Sequence, residues 1–247
     1  MKKLFLKLLI IEVVFIFLFS YISTFADDLD NSTDLLDVSK ELNALNYVET
    51  SSSGTSTLNL NTRSCIVLDR LSKKILYGKN ENQKLYPAST TKILTAILAI
   101  ENCSLTDKLT ASNSAIMAIP AGYSNAAIQP GETLTAQELL ELFLIHSANE
   151  VGYIFAEHIS GNIDSFATLM NQKALELGCK NTHFTNPSGL HDKNHYSTAY
   201  DMALIARYCM KNETFRNIVS KTSCTIEATD KYQERYFKNT NDLINPS

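Results

Sequence analysis

Ser89 and Lys92 are three positions apart and could carry out nucleophilic chemistry together. On a helix, this spacing places two side chains on one face. A serine hydroxyl is a weak nucleophile and needs a base within hydrogen-bond distance. A lysine can be that base when an apolar pocket lowers its pKa. An N-capping serine followed by a solvated lysine would have the same spacing, so the pair alone leaves both interpretations open.

The element that would position this pair is the apolar run that follows Lys92. Residues 93–100 are apolar almost throughout and contain no Gly or Pro, which predicts a buried helix. Pro87 and Ser89 are residue types favoured at helix starts. Backbone N–H groups at a helix start can stabilise a developing oxyanion. The sequence therefore predicts a nucleophile, a base and an oxyanion site within one short stretch.

A second polar motif, Ser147-Ala148-Asn149, follows an apolar helix that begins with the capping box at Thr135. It lies at a predicted connection between two helices, where polar side chains can face a cleft. With both motifs, the chain resembles the serine D-alanyl-D-alanine carboxypeptidases, which are low-molecular-mass penicillin-binding proteins with S-x-x-K, S-x-N and K-T-G motifs. The resemblance runs from about Cys65 to the end of the sequence and is densest at residues 87–92, 181–190, 195–201 and 239–241.

The resemblance implies a role for each polar residue. Ser89 would attack the carbonyl of a D-alanyl-D-alanine peptide, and Lys92 would accept its proton. Ser147 would relay a proton to the leaving amine, while Asn149 would orient the substrate amide and hold Lys92. The implied reaction passes through an acyl-enzyme and uses no cofactor and no metal. The implied partners are peptidoglycan stem peptides and, as inhibitors that acylate Ser89, β-lactams.

The sequence departs from the family pattern near its C-terminus. Its one near match to K-T-G, Lys221-Thr222-Ser223, lacks the glycine. It also precedes Asn239-Thr240-Asn241, which in the family comes before K-T-G, so we reject it as the motif. We therefore expect incomplete C-terminal strands and little release of D-alanine by residues 1–247. A fragment and a natural pseudoenzyme both fit this departure.

The N-terminal residues have the pattern of an export signal. Residues 1–26 contain three early lysines, an apolar run interrupted by Glu12, and small residues ending at Ala26. We expect a signal peptide, with localisation in the cell envelope or outside the cell. An uncleaved segment that associates with the membrane is the alternative. The net charge of −4 gives no indication of nucleic-acid binding. The five cysteines contain no C-x-x-C spacing, and we interpret them as small buried hydrophobic residues.

The remaining pattern predicts residues 27–60 as a flexible lead-in and residues 61–247 as a partial transpeptidase-like domain. We expect an α/β fold of the β-lactamase and transpeptidase type. Its one antiparallel sheet would be built from strands near residues 65–78 and 224–238, with flanking helices. Residues 106–196 would form an all-helical subdomain, with Ser89 at the junction. A further helix over residues 197–210 would be capped by Ser197.

Three other functions are alternatives to the carboxypeptidase. A class A β-lactamase would need a glutamate for deacylation, and the corresponding loop, residues 180–191, contains none. A zinc peptidase would need a ligand set such as H-E-x-x-H, which the sequence lacks, and His191 and His195 are not on a predicted helix. A non-catalytic or truncated envelope protein that binds peptidoglycan or penicillin stays open.

Overall fold

The computed structural model describes residues 60–244, so the predicted signal peptide and nearly all of the predicted lead-in lie outside the described residues. Short antiparallel strand pairs surround a group of packed helices. In chain order the elements are β1 (Cys65–Leu68), β2 (Ile75–Lys79), a 3₁₀ turn (Ala88–Thr91), α1 (Lys92–Asn102), β3 (Lys108–Thr110), α2 (Asn113–Met117), β4 (Thr133–Thr135), α3 (Ala136–Ile145), α4 (Asn149–Ser160), α5 (Ile163–Glu176), α6 (Ala199–Cys209), α7 (Glu213–Val219), β5 (Ser223–Ile226), β6 (Arg235–Lys238) and a second 3₁₀ turn (Asp242–Ile244).

Helix α1 is the centre of the molecule. Residues 92–99 are all buried, and α1 packs against α3, α4, α5, α6 and α7. A helix surrounded in this way needs apolar residues on every face, which the sequence provides. The predicted buried helix after Lys92 is confirmed. Because most of the core packs around this helix, the residues at its N-terminus are held in a fixed position.

Local capping signals mark the start of α3 and the end of α4, although the helices do not fill the whole of residues 106–196 as was predicted. Thr135 and Glu138 form a capping box at the start of α3, and Gly161 ends α4 in the left-handed region at φ 78°. Helix α6 differs from the prediction, because its N-cap is Thr198, which accepts a hydrogen bond from the backbone N–H of Asp201. Ser197 stands one residue earlier, with its backbone paired to Leu85 and its hydroxyl hydrogen-bonded to Thr182 Oγ1.

The strands form separate pairs instead of the single sheet that was predicted. Strand β1 pairs with β2, and β5 pairs with β6, each in antiparallel register. The first pair packs through β1 against α6, whereas the second packs against α3, and α1 contacts both helices. The two hairpins therefore lie against different helices and share no hydrogen-bonded edge.

A third strand pair, β3–β4, lies in a segment that we expected to be helical or irregular. Leu109 and Leu134 are paired across it and both are buried. Strands of three residues give too little alternation to be recognised in a sequence. The pair closes the segment of residues 111–132, which lies beside the start of α4.

The five cysteines are free thiols, four of them buried and Cys103 partly exposed, in agreement with their interpretation as small hydrophobic residues. Among residues 60–244, no helix combines the length and the apolar character that a membrane span requires.

Candidate active site

Ser89 and Lys92 meet at the N-terminal end of α1. Ser89 lies exposed in the 3₁₀ turn, and Lys92 is the first residue of the helix, with a side chain only 3% exposed. Lys92 Nζ donates a hydrogen bond to Ser89 Oγ at 3.0 Å. An exposed hydroxyl is thus in contact with a buried amine, within the distance needed for proton transfer.

Two further acceptors fix the orientation of the lysine amine. Nζ donates to Asn149 Oδ1 at 2.8 Å and to the backbone oxygen of Ser188 at 2.9 Å. The amide of Asn149 is itself oriented, because its Nδ2 donates to the backbone oxygen of Ser124 at 2.8 Å. Carbonyl oxygens only accept, so a neutral amine would direct its two protons to Asn149 and Ser188. Its lone pair would then face Ser89 Oγ.

The environment of Lys92 favours this neutral form. Burial lowers the pKa of the ammonium to about 7, against a smaller opposing effect from the carboxylate of Glu150. A lysine with such a pKa is substantially neutral near pH 7, unlike an exposed lysine. The pair can therefore activate the serine hydroxyl without a histidine or a metal ion.

A loop from a distant part of the sequence supplies the Ser188 oxygen. Asn186 Oδ1 accepts hydrogen bonds from the backbone N–H groups of the three residues 188–190. Thr95 of α1 donates to the backbone oxygen of Pro187 at 2.7 Å. These contacts hold the loop against α1, so the position of the Ser188 oxygen is set by the same helix that carries Lys92.

A buried histidine makes a second connection between this loop and the start of α1. The backbone N–H of Thr185 donates to His195 Nδ1 at 3.1 Å, which leaves Nε2 as the protonated nitrogen of the neutral ring. Nε2 then donates to Thr91 Oγ1 at 2.8 Å. Burial lowers the pKa of His195 to about 4, so the ring is neutral near pH 7. His195 therefore has a structural position next to the site.

Ser147 lies in the same cleft, but among the described residues the hydrogen bonds of Lys92 Nζ go to Ser89, Asn149 and Ser188 and not to Ser147. It has a positive φ of 65° and lines a cavity of about 550 Å³ together with Ser89 and Lys92. The third hydrogen bond of Lys92 goes to the backbone oxygen of Ser188 and not to the side chain of Ser147. The role of Ser147 as a proton relay stays a prediction. The rest of the cavity wall comes mainly from α3, α7 and the segment after β6, through Phe143, Leu144, Phe215, Val219 and residues 239–243.

Sequence reasoning missed two residues that contact or influence Lys92. The Ser188 oxygen belongs to the backbone, and no side-chain pattern indicates a backbone acceptor. Glu150 directly follows Asn149 and is 2% exposed. The sequence feature that could have indicated Glu150 is a charged residue directly after the S-x-N motif. Among residues 60–244, no group of three or more His, Cys, Asp or Glu side chains could hold a metal ion.

A serine hydroxyl paired with a buried lysine at the start of a central helix, beside an S-x-N connection, defines the class of S-x-x-K serine acyl-transfer proteins. Residues 50–247 match the model of the peptidase S11 family, described as D-alanyl-D-alanine carboxypeptidase. The chain belongs to this family, and the resemblance inferred from its motifs is confirmed.

Individual relatives agree with this assignment. The chain is 39% identical over 196 residues to the D-alanyl-D-alanine carboxypeptidase DacF of Bacillus subtilis, an alignment that covers 77% of this chain and 49% of DacF. The crystal structure of a D-alanyl-D-alanine carboxypeptidase from Mycobacterium tuberculosis is similar with a TM-score of 0.71 and 30% identity, covering 78% of this chain and 72% of that one. Penicillin binding protein 5 from Haemophilus influenzae gives a TM-score of 0.69 and 29% identity, covering 77% and 56%.

These structural similarities confirm the predicted fold class. The chain spans about half the length of the curated relative DacF. The activity, substrates and partners of the whole protein are therefore proposals that rest on the geometry of the site.

Proposed function

We propose that this protein is a serine D-alanyl-D-alanine carboxypeptidase that forms an acyl-enzyme on Ser89. The observation that carries the proposal is the hydrogen bond between Lys92 Nζ and Ser89 Oγ, made by a lysine whose pKa is lowered to about 7. A buried lysine is costly to a fold, because its charged form is poorly solvated. Its contact with an exposed serine is well explained by proton transfer between the two.

In the first half of the proposed reaction, Ser89 Oγ attacks the carbonyl carbon of the penultimate D-alanine, and its proton passes to Lys92. The tetrahedral intermediate breaks its C–N bond, and the leaving amine of the terminal D-alanine takes up a proton. Ser147, which lines the same cavity, relays that proton from Lys92. Asn149 holds Lys92 in place through its Oδ1, and in the proposed reaction it also orients the substrate amide.

In the second half, a water molecule attacks the ester on Ser89, and Lys92 again serves as the base. The Ser89 oxygen leaves and recovers its proton, which releases the shortened stem peptide. A β-lactam carries its reactive carbonyl in a strained ring, and its ring amide bond would open onto Ser89 by the same attack. The proposed substrates are therefore peptidoglycan stem peptides, and the proposed inhibitors are β-lactams.

The proposed location follows from the substrate. Peptidoglycan lies outside the cytoplasmic membrane, so an enzyme acting on it must be exported. Residues 1–26 have the charge and apolar pattern of a signal peptide, and this supports cell-envelope or extracellular localisation. A membrane association through these residues, if they are retained, is part of the same proposal.

The test is acylation of the purified protein by a fluorescent penicillin, followed by an assay for D-alanine release from a D-alanyl-D-alanine peptide. We expect label on the wild-type protein, none on Ser89→Ala, and normal labelling of Ser104→Ala, which removes an exposed serine away from the site. Labelling of Ser89→Ala at the wild-type rate would contradict the assignment. Labelling without any release of D-alanine would favour a penicillin-binding protein without turnover.

A further inference from the structure

Glu150 is a buried acidic residue that the proposed reaction does not use. It lies in the first turn of α4, directly after the Asn149 that contacts Lys92, and it is 2% exposed. A carboxylate at such depth is uncommon, because removing its charge from water is costly. Its position beside the base of the reaction suggests that the charge has a use.

The hydrogen bonds of Glu150 satisfy one of its carboxylate oxygens. Oε1 accepts from the backbone N–H of Ala126 at 2.6 Å, whereas Oε2 has no hydrogen-bond partner among the described residues. Burial raises the pKa of Glu150, and backbone hydrogen bonds of Ala126, Glu150 itself and Ile128 oppose that rise, followed by the charge of Lys92. A carboxylate also gains stability at the N-terminal end of a helix, where Glu150 stands.

The segment held by Glu150 also orients Asn149. Both the backbone N–H and the side-chain Nδ2 of Asn149 donate to the backbone oxygen of Ser124, at 3.0 Å and 2.8 Å. Ala126, the partner of Glu150, is two residues further along. The Ser124 contact leaves Asn149 Oδ1 free to accept from Lys92. Glu150 thus holds the segment that orients Asn149, which accepts a hydrogen bond from the Lys92 amine.

We propose that Glu150 is a positioning residue for the acylation of Ser89: its carboxylate holds residues 124–126 against Asn149 and places a buried negative charge one residue from the side chain that contacts Lys92 Nζ. This inference rests on the proposed role of Lys92 as the base. Without the charge, burial alone would act on Lys92, and the amine would become neutral at a lower pH. Glu150 therefore tunes the base toward the neutral range.

Other titratable or charged side chains lie on the elements around Glu150. Lys92 faces it from α1, and Tyr153 lies one turn further along α4. His146 ends α3, and Arg235 of β6 donates to the backbone oxygen of Ala126 and pairs with Glu132. Lys92 is the charged side chain whose interaction with Glu150 alters the pKa of both groups.

The first experiment is an NMR titration of the full protein labelled with ¹³Cε-lysine, with the Lys92 signal identified by its loss in Lys92→Met. We expect a midpoint near 7 in the wild type. Glu150→Gln retains an acceptor for Ala126 and removes the charge, so we expect a midpoint lower by roughly one unit. Glu157→Gln, which removes a carboxylate from the same helix at its contact with Ser112 and Ser114, should leave the midpoint unchanged.

The reciprocal experiment needs no substitution at Glu150, so it stands even where Glu150→Gln fails to fold. Coupling between two sites acts equally in both directions, and Lys92→Met should raise the titration midpoint of the Glu150 carboxyl, followed by ¹³Cδ-glutamate NMR. An unchanged Lys92 midpoint in Glu150→Gln, or an unchanged Glu150 midpoint in Lys92→Met, would overturn the inference.

The effect on the reaction is measured separately from the effect on the lysine. The rate of penicillin labelling of Glu150→Gln should rise at a lower pH than that of the wild type, by the same shift that NMR measures. A variant with lower stability but an unshifted labelling profile would show a structural role alone, against the proposal. The two proposals can fail separately. Penicillin labelling of Ser89→Ala would contradict the proposed function, whereas an unchanged Lys92 midpoint in the NMR titration, which requires no reaction, would contradict this inference.

Discussion

A Cβ atom on Gly189 would lie 1.8 Å from the backbone oxygen of Ala88, so only glycine fits at this contact. Gly189 also has a φ of 85°, in the region that side chains rarely adopt. Ala88 itself has a positive φ of 48°, and it directly precedes Ser89. The backbone next to Ser89, the proposed nucleophile, is thus set by the loop that carries the Ser188 oxygen.

Gly189→Ala is expected to damage both the stability and the acylation of the protein. The added methyl group must displace either the loop or the turn that carries Ser89, at a cost of about 3 kcal/mol or more. Gly161→Ala is the matched control, since it has a similar φ of 78° and open space around the added atom. That control should cost about 1 kcal/mol and keep normal penicillin labelling. Urea unfolding and labelling rates measure the two effects, and equal losses in both variants would show that the contact with Ala88 is unimportant.

The rate of acylation should depend on the protonation state of Lys92. The folded protein holds the pKa of Lys92 at about 7, so the neutral base accumulates as the pH rises through that value. We expect the rate of penicillin labelling to increase from pH 5.5 to pH 8.5 with a midpoint near 7. Lys92→Ala should lower the rate by about two orders of magnitude or more and remove this pH dependence. A variant that labels as fast as the wild type would show that Lys92 is not the base.

Asn149→Asp should shift the same profile in the opposite direction to Glu150→Gln. A second carboxylate would then stand 2.8 Å from Lys92 Nζ, where it stabilises the ammonium and raises its pKa. The substitution would also replace the Nδ2 donor by a carboxylate oxygen, which cannot donate a hydrogen bond to the backbone oxygen of Ser124. We expect labelling at pH 7 to fall roughly tenfold or more, with partial recovery at pH 9. A loss that does not recover at high pH would point to misplacement of Lys92 instead.

The sequence predicted the parts of the site that depend on short spacing. Ser89 and Lys92 are brought together by one helix start, and Asn149 was identified by its motif and found on the lysine amine. Ser188 could not be predicted, because its contribution is a backbone oxygen placed by a loop far along the chain. The contact between Gly189 and Ala88 is missed for the same reason, since nothing local marks which glycine meets which turn.

The helices were more predictable than the sheets. The capping box predicted at Thr135 is a local signal and is confirmed, and the end of α4 at Gly161 also depends on a local feature, a glycine in the left-handed region. The pairing of hairpins into sheets depends on which helix each one packs against, and this information is spread over the whole chain. The expected single sheet was wrong because β1 lies on α6, whereas β5 lies on α3.

His195 predicts a loss of stability in acid. Burial holds its pKa at about 4 in the folded protein, against 6.5 for an unperturbed histidine. The unfolded chain therefore binds a proton between those values that the folded protein does not, and stability falls as the pH drops from 6.5 to 4. The contribution is about 3 kcal/mol across that window. Urea unfolding at pH 7 and pH 4.5 should show a smaller acid loss in His195→Gln than in the wild type, whereas the exposed His158→Gln should match the wild type.

Arg235 and Glu132 form a buried ion pair that joins β6 to the segment before β4. Their side chains are 6% and 0% exposed. Arg235 also donates to the backbone oxygen of Ala126, next to the segment that orients Asn149. Thr229 and the backbone N–H of Gln129 complete the hydrogen bonds of the Glu132 carboxylate. The pair therefore connects the β5–β6 hairpin to the segment that orients Asn149.

Removing one partner leaves the other charge buried without compensation, so Arg235→Met and Glu132→Gln should each cost about 3–5 kcal/mol. The double variant should be more stable than either single variant would suggest, because no isolated charge remains. Asp230→Asn is the control, since its contact with Lys231 is solvent-exposed at 3.5 Å and should contribute less than about 1 kcal/mol. Urea unfolding of the four proteins and the wild type gives the coupling energy. Purely additive losses would show that the two charges do not depend on each other, and that the hairpin is held to residues 124–132 by its other contacts.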